Sequence, residues 1–353
     1  MGKRAVYLVN LGSPDSTEVS DVRRYLDEFL MDKYVIDAPF LVRLMVVKCF
    51  VLPFRPKKSA EAYESIWWDE GSPLIVLSKR LLSHVQKKCN YPVGLGMRYG
   101  SPSILSGLQE LVNSNPDLEE VFLFPLYPHY AMATTTTVVE KTKEVMSKHF
   151  PHLTLSYIES YYDYKPYINA LTASIKANRK KENWDHLLFS FHGVPERHVK
   201  KTDKTKSHCM KVNNCCYSDS KAHEYCYSHH VHKTALLVVE QLNLKPDEYT
   251  ISFQSRLGND PWLSPATDST LERLAKKGIK NIGVVCPAFV SDCLETLEEI
   301  GEEGKEIFLE NGGERFSLID CLNEDPLWVD TIISLIKDLS YHKQAGKDDF
   351  VIN

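Results

Sequence analysis

Eight short apolar segments, spread over the whole chain, constrain the fold more than any other feature of the sequence. Stretches that fit helices lie between them, for example 19–30, 78–88 and 134–149. Strands that are apolar on both faces and alternate with helices are typical of buried parallel sheets. We therefore predict two similar doubly wound α/β domains. The eight predicted strands are 5–10, 93–97, 121–125, 153–158, 186–191, 249–253, 282–286 and 316–319.

Chain length and composition agree with two soluble domains. At 353 residues the chain is longer than one core usually supports. Hydrophobic residues at 43% and charged residues at 25% are typical of globular proteins and exclude a multi-span membrane protein. Four predicted strands fall in each half, which gives domains at 1–160 and 161–342 and a polar tail at 343–353. The net charge of −5, with scattered basic residues, argues against a nucleic-acid partner.

The first residues carry no secretory signal, because the apolar run after Arg4 is short and lacks a cleavage site. We therefore expect a cytoplasmic protein with reduced cysteines. Within the most apolar stretch, 34–56, the run from Phe40 to Phe54 holds only fifteen residues and is interrupted by Arg43, Lys48 and Pro53, so it is too short to span a bilayer. It is either a buried helix or an amphipathic flap on a membrane face or over an apolar ligand.

Ligands of parallel sheets bind beyond the carboxyl ends of the strands, and His192 follows such an end. Its imidazole could accept a proton or bind a metal, although a lone histidine is often structural. Ser291 and Asp292 read as the N-cap of a helix that carries Glu295, Glu299 and Glu302 on one face. That row is either a solvated surface or a path for protons or a cation.

Motifs for nucleotide binding and hydrolysis are missing. The segment GLGMRYG at 94–100 lacks the third glycine of a dinucleotide fingerprint and lies within a predicted strand. The sequence contains neither a Walker loop nor a G-x-S-x-G nucleophile motif.

Seven ordered blocks resemble the ferrochelatase family. They are LVNLGSPDS (8–16), SIWWDEGSPL (65–74), MRYGSPSI (97–104), PLYPHYAMATTTT (125–137), SFHGVPERHV (190–199), FQSRLGNDPWLSPATD (253–268) and PAFVSDCLETLEEI (287–300). The resemblance runs from about residue 4 to about residue 340. It implies two Rossmann-like chelatase domains, each a four-stranded parallel sheet flanked by helices, and insertion of Fe²⁺ into protoporphyrin IX to form protohaem.

The resemblance also assigns roles to residues of the matching blocks. His192 would be the proton acceptor or a ligand of the substrate iron, and we favour the proton acceptor. Glu295 would face it across the cleft and also contact the iron, and Glu299 would continue an acidic path. The residues expected to contact the macrocycle are Leu11, Met31, Ser65, Tyr99, Tyr127 and Trp262.

The resemblance makes 34–56 an active-site lip that touches the inner membrane peripherally. Whether the protein forms a homodimer stays open. Two other functions are kept as alternatives: a cobalt chelatase of a corrin precursor, and a non-catalytic tetrapyrrole-binding or iron–sulfur sensor protein.

Four cysteines, Cys209, Cys215, Cys216 and Cys226, lie in an insertion at about 203–230. Four thiolates could hold a [2Fe–2S] cluster or zinc, or could stay free of metal; the adjacent pair fits zinc spacing poorly. Animal ferrochelatases hold their cluster elsewhere: at the first of those positions this chain has Met132, and it has no cysteine after Cys321. Bacterial members with internal cysteines resemble this chain. We expect a [2Fe–2S] cluster. Cys293 lies beside the predicted cleft and is either near the metal path or a small buried residue.

Overall fold

The computed structural model describes residues 3–256, 258 and 260–345. Within these residues the chain forms nine strands: β1 (Lys3–Asn10), β2 (Val93–Met97), β3 (Leu118–Pro125), β4 (Thr154–Ile158), β5 (His186–His192), β6 (Tyr249–Gln254), β7 (Asn281–Val285), β8 (Arg315–Ile319) and β9 (His342–Gln344). The same residues form thirteen α-helices: α1 (Val19–Leu30), α2 (Phe40–Met45), α3 (Arg55–Ile66), α4 (Pro73–Lys88), α5 (Ile104–Asn113), α6 (Thr137–His149), α7 (Lys165–Glu182), α8 (Glu196–Thr202), α9 (Tyr227–Leu242), α10 (Thr267–Lys276), α11 (Leu294–Leu297), α12 (Lys305–Glu310) and α13 (Pro326–Lys337).

The strands form two sheets with helices between them, which confirms the predicted α/β class. The first sheet has the order β2-β1-β3-β4-β9 and the second has the order β6-β5-β7-β8. All pairings are parallel except that of β9, which runs antiparallel to β4. All eight predicted apolar segments are strands.

Strand β5 shows why the apolar segments are continuous rather than alternating. Phe189 and Phe191 point into one buried cluster, and Leu188 points into another on the opposite face. Both faces of a parallel sheet are covered by helices, so both need apolar side chains.

The two sheets share one core. A buried cluster contains Phe124 of β3 together with Phe191 of β5. Helix α13 packs against both α4 and α7, and its Trp328 stacks on Tyr161 at 5.7 Å between ring centroids. The C-terminal part of the chain therefore returns to the N-terminal half.

Strand β9 is the clearest addition to the predicted fold. Its Lys343 was placed at the start of a polar tail, yet it lies in a strand, and its Nζ contacts Glu159 and Glu224 at 2.8 Å each. The N-terminal sheet therefore has a fifth strand, where the sequence predicted four. Residues 346–353 of the predicted tail lie outside the described residues.

The segment 34–56 is not a buried helix. It forms α2 and a π-helix (Val46–Val51), and only Arg43, Val47, Leu52 and Pro56 within it are buried. Leu41 is 74% exposed and Phe54 is 76% exposed. Four further apolar side chains are exposed there, namely Phe40, Val42, Met45 and Phe50. We call these six residues the apolar lip.

Candidate active site

His192 ends β5, at the carboxyl edge of the second sheet, opposite Gln254 of β6. Its Nδ1 lies 2.6 Å from the carbonyl oxygen of Gly193. A carbonyl oxygen can only accept a hydrogen bond, so Nδ1 carries the proton of the neutral ring. Nε2 is thereby left with a lone pair, which is the form a proton acceptor or metal ligand needs.

Gly193 makes the turn after β5 that directs the chain past the second sheet. A Cβ at this position would lie 2.8 Å from the carbonyl oxygen of Gln254 and 3.2 Å from the indole ring of Trp262. Only glycine fits this close approach. The predicted substrate residue Trp262 therefore lies directly beside the His192–Gly193 peptide.

The carboxyl group of Glu299 is hydrogen-bonded to Ser255, the residue that follows β6. Its Oε1 accepts a hydrogen bond from the Ser255 amide at 2.7 Å, and its Oε2 accepts one from the Ser255 hydroxyl. Burial raises the pKa of Glu299, and the hydrogen bonds from Ser255 and, when its ring is protonated, the charge of His192 oppose that shift. The structure therefore brings His192 and Glu299 together.

Glu295 lies in the first turn of α11, and its charge raises the pKa of Glu299 further. Gln254 Nε2 donates to the Glu295 carbonyl oxygen at 2.7 Å and to Glu299 Oε2 at 3.2 Å. Gln254 therefore links all three predicted catalytic residues, Glu295 and Glu299 through its side chain and His192 through its backbone pairing in the sheet.

Two buried tyrosines of the N-terminal half lie near Glu295. Burial raises the pKa values of Tyr25 and Tyr63 well above the usual range, and the charge of Glu295 raises both further. Cys293 is buried, and burial together with the nearby Glu295 carboxylate raises the pKa of its thiol. The carboxyl group of Glu295 thus lies between the two halves of the molecule.

The predicted row of three carboxylates on one helical face is wrong. Helix α11 ends at Leu297, and a π-helix (Glu299–Gly304) follows, so the α-helical spacing does not continue. Glu302 is exposed, whereas Glu295 and Glu299 are partly buried.

The predicted N-cap is also shifted, because Cys293 caps α11. Asp292 instead accepts hydrogen bonds from the Thr296 hydroxyl at 2.9 Å and the Asn323 amide group at 2.7 Å. It fixes the loop that leads into the helix of Glu295.

Leu11 and Met31 lie on the N-terminal side of this region. Both pack against a cluster that also contacts Leu294, the residue before Glu295. The turn after Leu11 needs glycine, because Gly12 has φ +108° and a Cβ there would overlap the Tyr99 carbonyl oxygen. These two predicted substrate residues therefore come close to α11.

Tyr99 and Tyr127 are more deeply buried than a surface for a macrocycle requires. Tyr99 is completely buried, and its hydroxyl donates to Asp32 Oδ2 at 2.9 Å. The Tyr127 hydroxyl is buried and has no hydrogen-bond partner among the described residues. Their role in substrate binding stays a prediction.

Ser65 differs from the other predicted substrate residues because it is exposed. Its hydroxyl donates to the Ala62 carbonyl oxygen of its own helix, α3, at 3.1 Å. Helix α3 does pack against α11, so Ser65 lies on an element that borders the site.

A pocket of about 370 Å³ lies beside Met31 and is lined by Tyr34, Arg43 and Arg98 among other residues. Neither His192 nor Glu295 lines it. The pocket therefore adjoins the predicted substrate surface rather than the acidic pair.

Sequence reasoning missed Gln254, Ser255, Tyr25 and Tyr63. The first two follow a predicted strand end, which was the available signal for them. Ser255 has a left-handed backbone with φ 63°, which turns its amide and hydroxyl toward Glu299. Nothing in the sequence indicates that the two tyrosines from distant helices meet Glu295.

The four cysteines of the insertion form a chain of contacts. Cys216 lies close enough to Cys215 and to Cys226, and Cys226 close enough to Cys209, for each pair to shift a thiol pKa. Backbone amides of Met210 and His229 donate to the sulfurs of Cys215 and Cys226, each at 3.4 Å. Four adjacent thiols with amide donors fit a group that is bound by thiolates.

The thiols do not by themselves define a closed metal site. Among residues 3–256, 258 and 260–345, no three His, Cys, Asp or Glu side chains converge on a common point as metal ligands do. The four sulfurs thus lie in an open chain of contacts rather than in a preformed cage.

Solved structures of other proteins share this architecture. SirB from Bacillus subtilis with Fe³⁺ has a TM-score of 0.52 at 12% identity and covers 95% of both chains. The sirohydrochlorin chelatase SirB from Bacillus subtilis subspecies spizizenii, in complex with cobalt, has a TM-score of 0.53 at 12% identity, over 95% of this chain and 94% of its own. The fold is that of the two-domain chelatases.

Sequence similarity specifies which chelatase family. The ferrochelatase family model matches residues 3–339. The ferrochelatase of Pseudomonas fluorescens (strain Pf0-1) is 49% identical over 337 residues, 95% of this chain and 98% of the relative. That of Opitutus terrae is 48% identical over 344 residues, 96% of this chain and 98% of the relative. The chain belongs to the ferrochelatase family, the metal–tetrapyrrole chelatases (lyases) that insert metal in haem synthesis.

In the part of the chain that the structure describes, every helix is too short or too polar to cross a membrane.

Proposed function

We propose that this protein inserts Fe²⁺ into protoporphyrin IX to form protohaem, the last step of haem biosynthesis. The observation that carries the proposal is the cluster of His192, Glu295 and Glu299 around Gln254. Metallation replaces two pyrrole N–H protons with one Fe²⁺, so the site needs a base and a route for two protons. His192 Nε2, whose lone pair is free of the Gly193 bond, accepts a pyrrole proton.

Glu299 and Glu295 then receive the protons that the imidazole releases. Glu299 is held by Ser255 and Gln254, and its raised pKa makes it a better proton acceptor than an exposed glutamate. Glu295 lies nearer the N-terminal half and can contact the iron as well as relay protons, because carboxylate and imidazole are both ligands for Fe²⁺.

The test is the initial rate of protohaem formation from protoporphyrin IX and Fe²⁺ under anaerobic conditions. We expect His192→Ala and Glu295→Gln to reduce kcat by at least about 100-fold. The exposed His84 provides the matched control, and His84→Ala should keep the wild-type rate. An undiminished rate in His192→Ala would remove the proton-acceptor assignment.

Other substrates separate the alternatives. A wild-type protein that binds porphyrin but never metallates it would be a carrier or sensor. Faster insertion of Co²⁺ into a corrin precursor than of Fe²⁺ into protoporphyrin would favour the cobalt chelatase. Coproporphyrin is assayed in parallel to define the preferred porphyrin.

We further propose that Cys209, Cys215, Cys216 and Cys226 hold a [2Fe–2S] cluster. Their mutual contacts and the two backbone amide donors to sulfur support this set. When bound, the cluster would cross-link the cysteine-rich segment. The metallation of the porphyrin itself transfers no electrons.

The test of this set is chemical. We expect iron and acid-labile sulfide, with a visible absorption band, in anaerobically purified protein. Cys216→Ser should lose both, whereas the exposed Cys49 allows Cys49→Ser as a control that keeps them. Zinc without sulfide would establish the alternative metal.

The apolar lip supports peripheral attachment of a cytoplasmic protein to the inner membrane. Six exposed apolar residues are followed by the exposed basic residues Arg55, Lys57 and Lys58 at the start of α3. This combination favours the surface of an anionic bilayer. We expect Leu41→Glu to reduce co-sedimentation with phosphatidylglycerol vesicles, and Leu327→Glu, on an exposed leucine of α13, to leave it unchanged.

A further inference from the structure

Tyr227 connects the cysteine-rich insertion with the predicted catalytic histidine. It is buried at the first position of α9. Its hydroxyl donates a hydrogen bond of 2.7 Å to the backbone carbonyl oxygen of His192. The ring also meets the edge of His129, with 6.1 Å between ring centroids. A buried tyrosine with this single strong bond holds the end of β5 in place.

Two hydrogen bonds orient the peptide between His192 and Gly193, and a third ties the imidazole to the next peptide. Tyr227 binds the His192 carbonyl oxygen, and the Gly193 amide donates to the Gln254 carbonyl oxygen at 2.7 Å. The next carbonyl oxygen, that of Gly193, accepts the bond from His192 Nδ1. If the first bond is lost, the peptide can rotate and the imidazole loses its fixed direction.

The start of α9 is in turn fixed by the insertion. Cys226, the residue before Tyr227, caps the helix by accepting the His229 amide at its sulfur. The same sulfur contacts Cys216 and Cys209. Tyr227 is therefore one residue away from the contact chain of the four thiols.

We infer that Tyr227 is a positioning residue for His192, through which the cysteine-rich insertion holds the imidazole in its working orientation. This inference rests on the proposed role of His192. Among the described residues the Tyr227 hydroxyl donates its hydrogen bond to the backbone of His192, so it acts through that residue and not on the porphyrin. Misplacement of a catalytic group by about 1 Å can cost ~100-fold in rate.

The test is Tyr227→Phe, which removes the hydroxyl and keeps the ring. We expect kcat for protohaem formation to fall by about tenfold. The KM for porphyrin, the dissociation constant of protoporphyrin from fluorescence quenching, and the metal and sulfide content should stay within about twofold of wild type. Damage to the insertion as a whole would instead change metal content and porphyrin affinity together with kcat.

Tyr225→Phe is the matched control. Tyr225 lies two residues earlier, and its hydroxyl accepts a bond from Lys343 at 3.3 Å, away from His192. It should keep wild-type kcat. A Tyr227→Phe enzyme whose kcat falls less than about threefold, or falls together with porphyrin affinity and metal content, would overturn the inference.

His192→Ala in the same assay separates this inference from the proposed function. A loss of rate in His192→Ala with none in Tyr227→Phe refutes only the positioning role. A normal rate in His192→Ala refutes the proton-acceptor assignment and the positioning role with it.

Discussion

Asp32 offers the sharpest test of what holds the N-terminal side of the site together. Its Oδ2 accepts hydrogen bonds from the Tyr99 hydroxyl at 2.9 Å, from Arg98 Nη2 and from the Thr137 hydroxyl. Its Oδ1 accepts the Tyr34 amide at 2.7 Å. One carboxylate therefore joins the end of α1, the turn after β2 and the start of α6. Asp32→Asn keeps the shape of the side chain and removes its charge.

The expected cost follows from burial. The side chains of Asp32 and Arg98 are only 4% and 12% exposed, so asparagine leaves the guanidinium charge without its counter-ion. Removing one partner of a buried ion pair costs roughly 3–5 kcal/mol. The amide also turns a donor toward groups that themselves donate. We expect the free energy of unfolding to fall by about 3 kcal/mol.

Urea unfolding followed by tryptophan fluorescence measures this change. With a slope of roughly 3 kcal/mol per M or more for a chain of this size, the midpoint should fall by about 1 M or less. The control is Asp330→Asn, because Asp330 pairs with Lys88 at 2.5 Å but the two side chains are 59% and 46% exposed. That variant should lose less than about 1 kcal/mol. Equal losses in both variants would refute the dependence on burial.

Three further changes follow from the structure. Burial and then the charges of neighbouring glutamates raise the pKa of Glu298 from 4.5 to about 7. The folded state therefore binds this proton more tightly than the unfolded state, and the free energy of unfolding falls as pH rises from about 4.5 to 7. In thermal unfolding at pH 8, Glu298→Gln should be more stable than wild type by ~1 kcal/mol. Gly193→Ala places a Cβ 2.8 Å from the Gln254 carbonyl oxygen, so we expect the free energy of unfolding to fall by about 1–3 kcal/mol and kcat to fall as well. A wild-type melting temperature would contradict the close approach. Lys343→Met leaves Glu159, whose side chain is 6% exposed, without its ion pair. We expect the free energy of unfolding to fall by about 2 kcal/mol and to be largely restored when Glu159→Gln is added.

The apolar pattern was sufficient for the eight parallel strands because most of them are buried on both faces. It could not reveal β9, whose residues His342, Lys343 and Gln344 are polar. That strand is held by pairing with Ser156–Ile158 and by the ion pair of Lys343 with Glu159. Both are contacts between residues far apart in the sequence.

The candidate site was predicted in part. The strand end drew attention to His192, because parallel sheets gather ligand-binding residues at one edge. The π-helix at Glu299 was not predictable, since apolar spacing does not distinguish it from an α-helix, and it moved Glu302 out of the row. Tyr99 lies in a matching block, but only the structure shows its hydroxyl bound to Asp32.

The position of β9 also bears on how the protein is made. Residues 342–344 leave the ribosome after every strand of the second sheet has been synthesised, yet they complete the edge of the first sheet. While the nascent chain is still growing, β4 presents an unpaired edge to its surroundings. The N-terminal half of this enzyme can therefore begin folding early during translation, but it reaches its final form only when the far end of the chain returns to it.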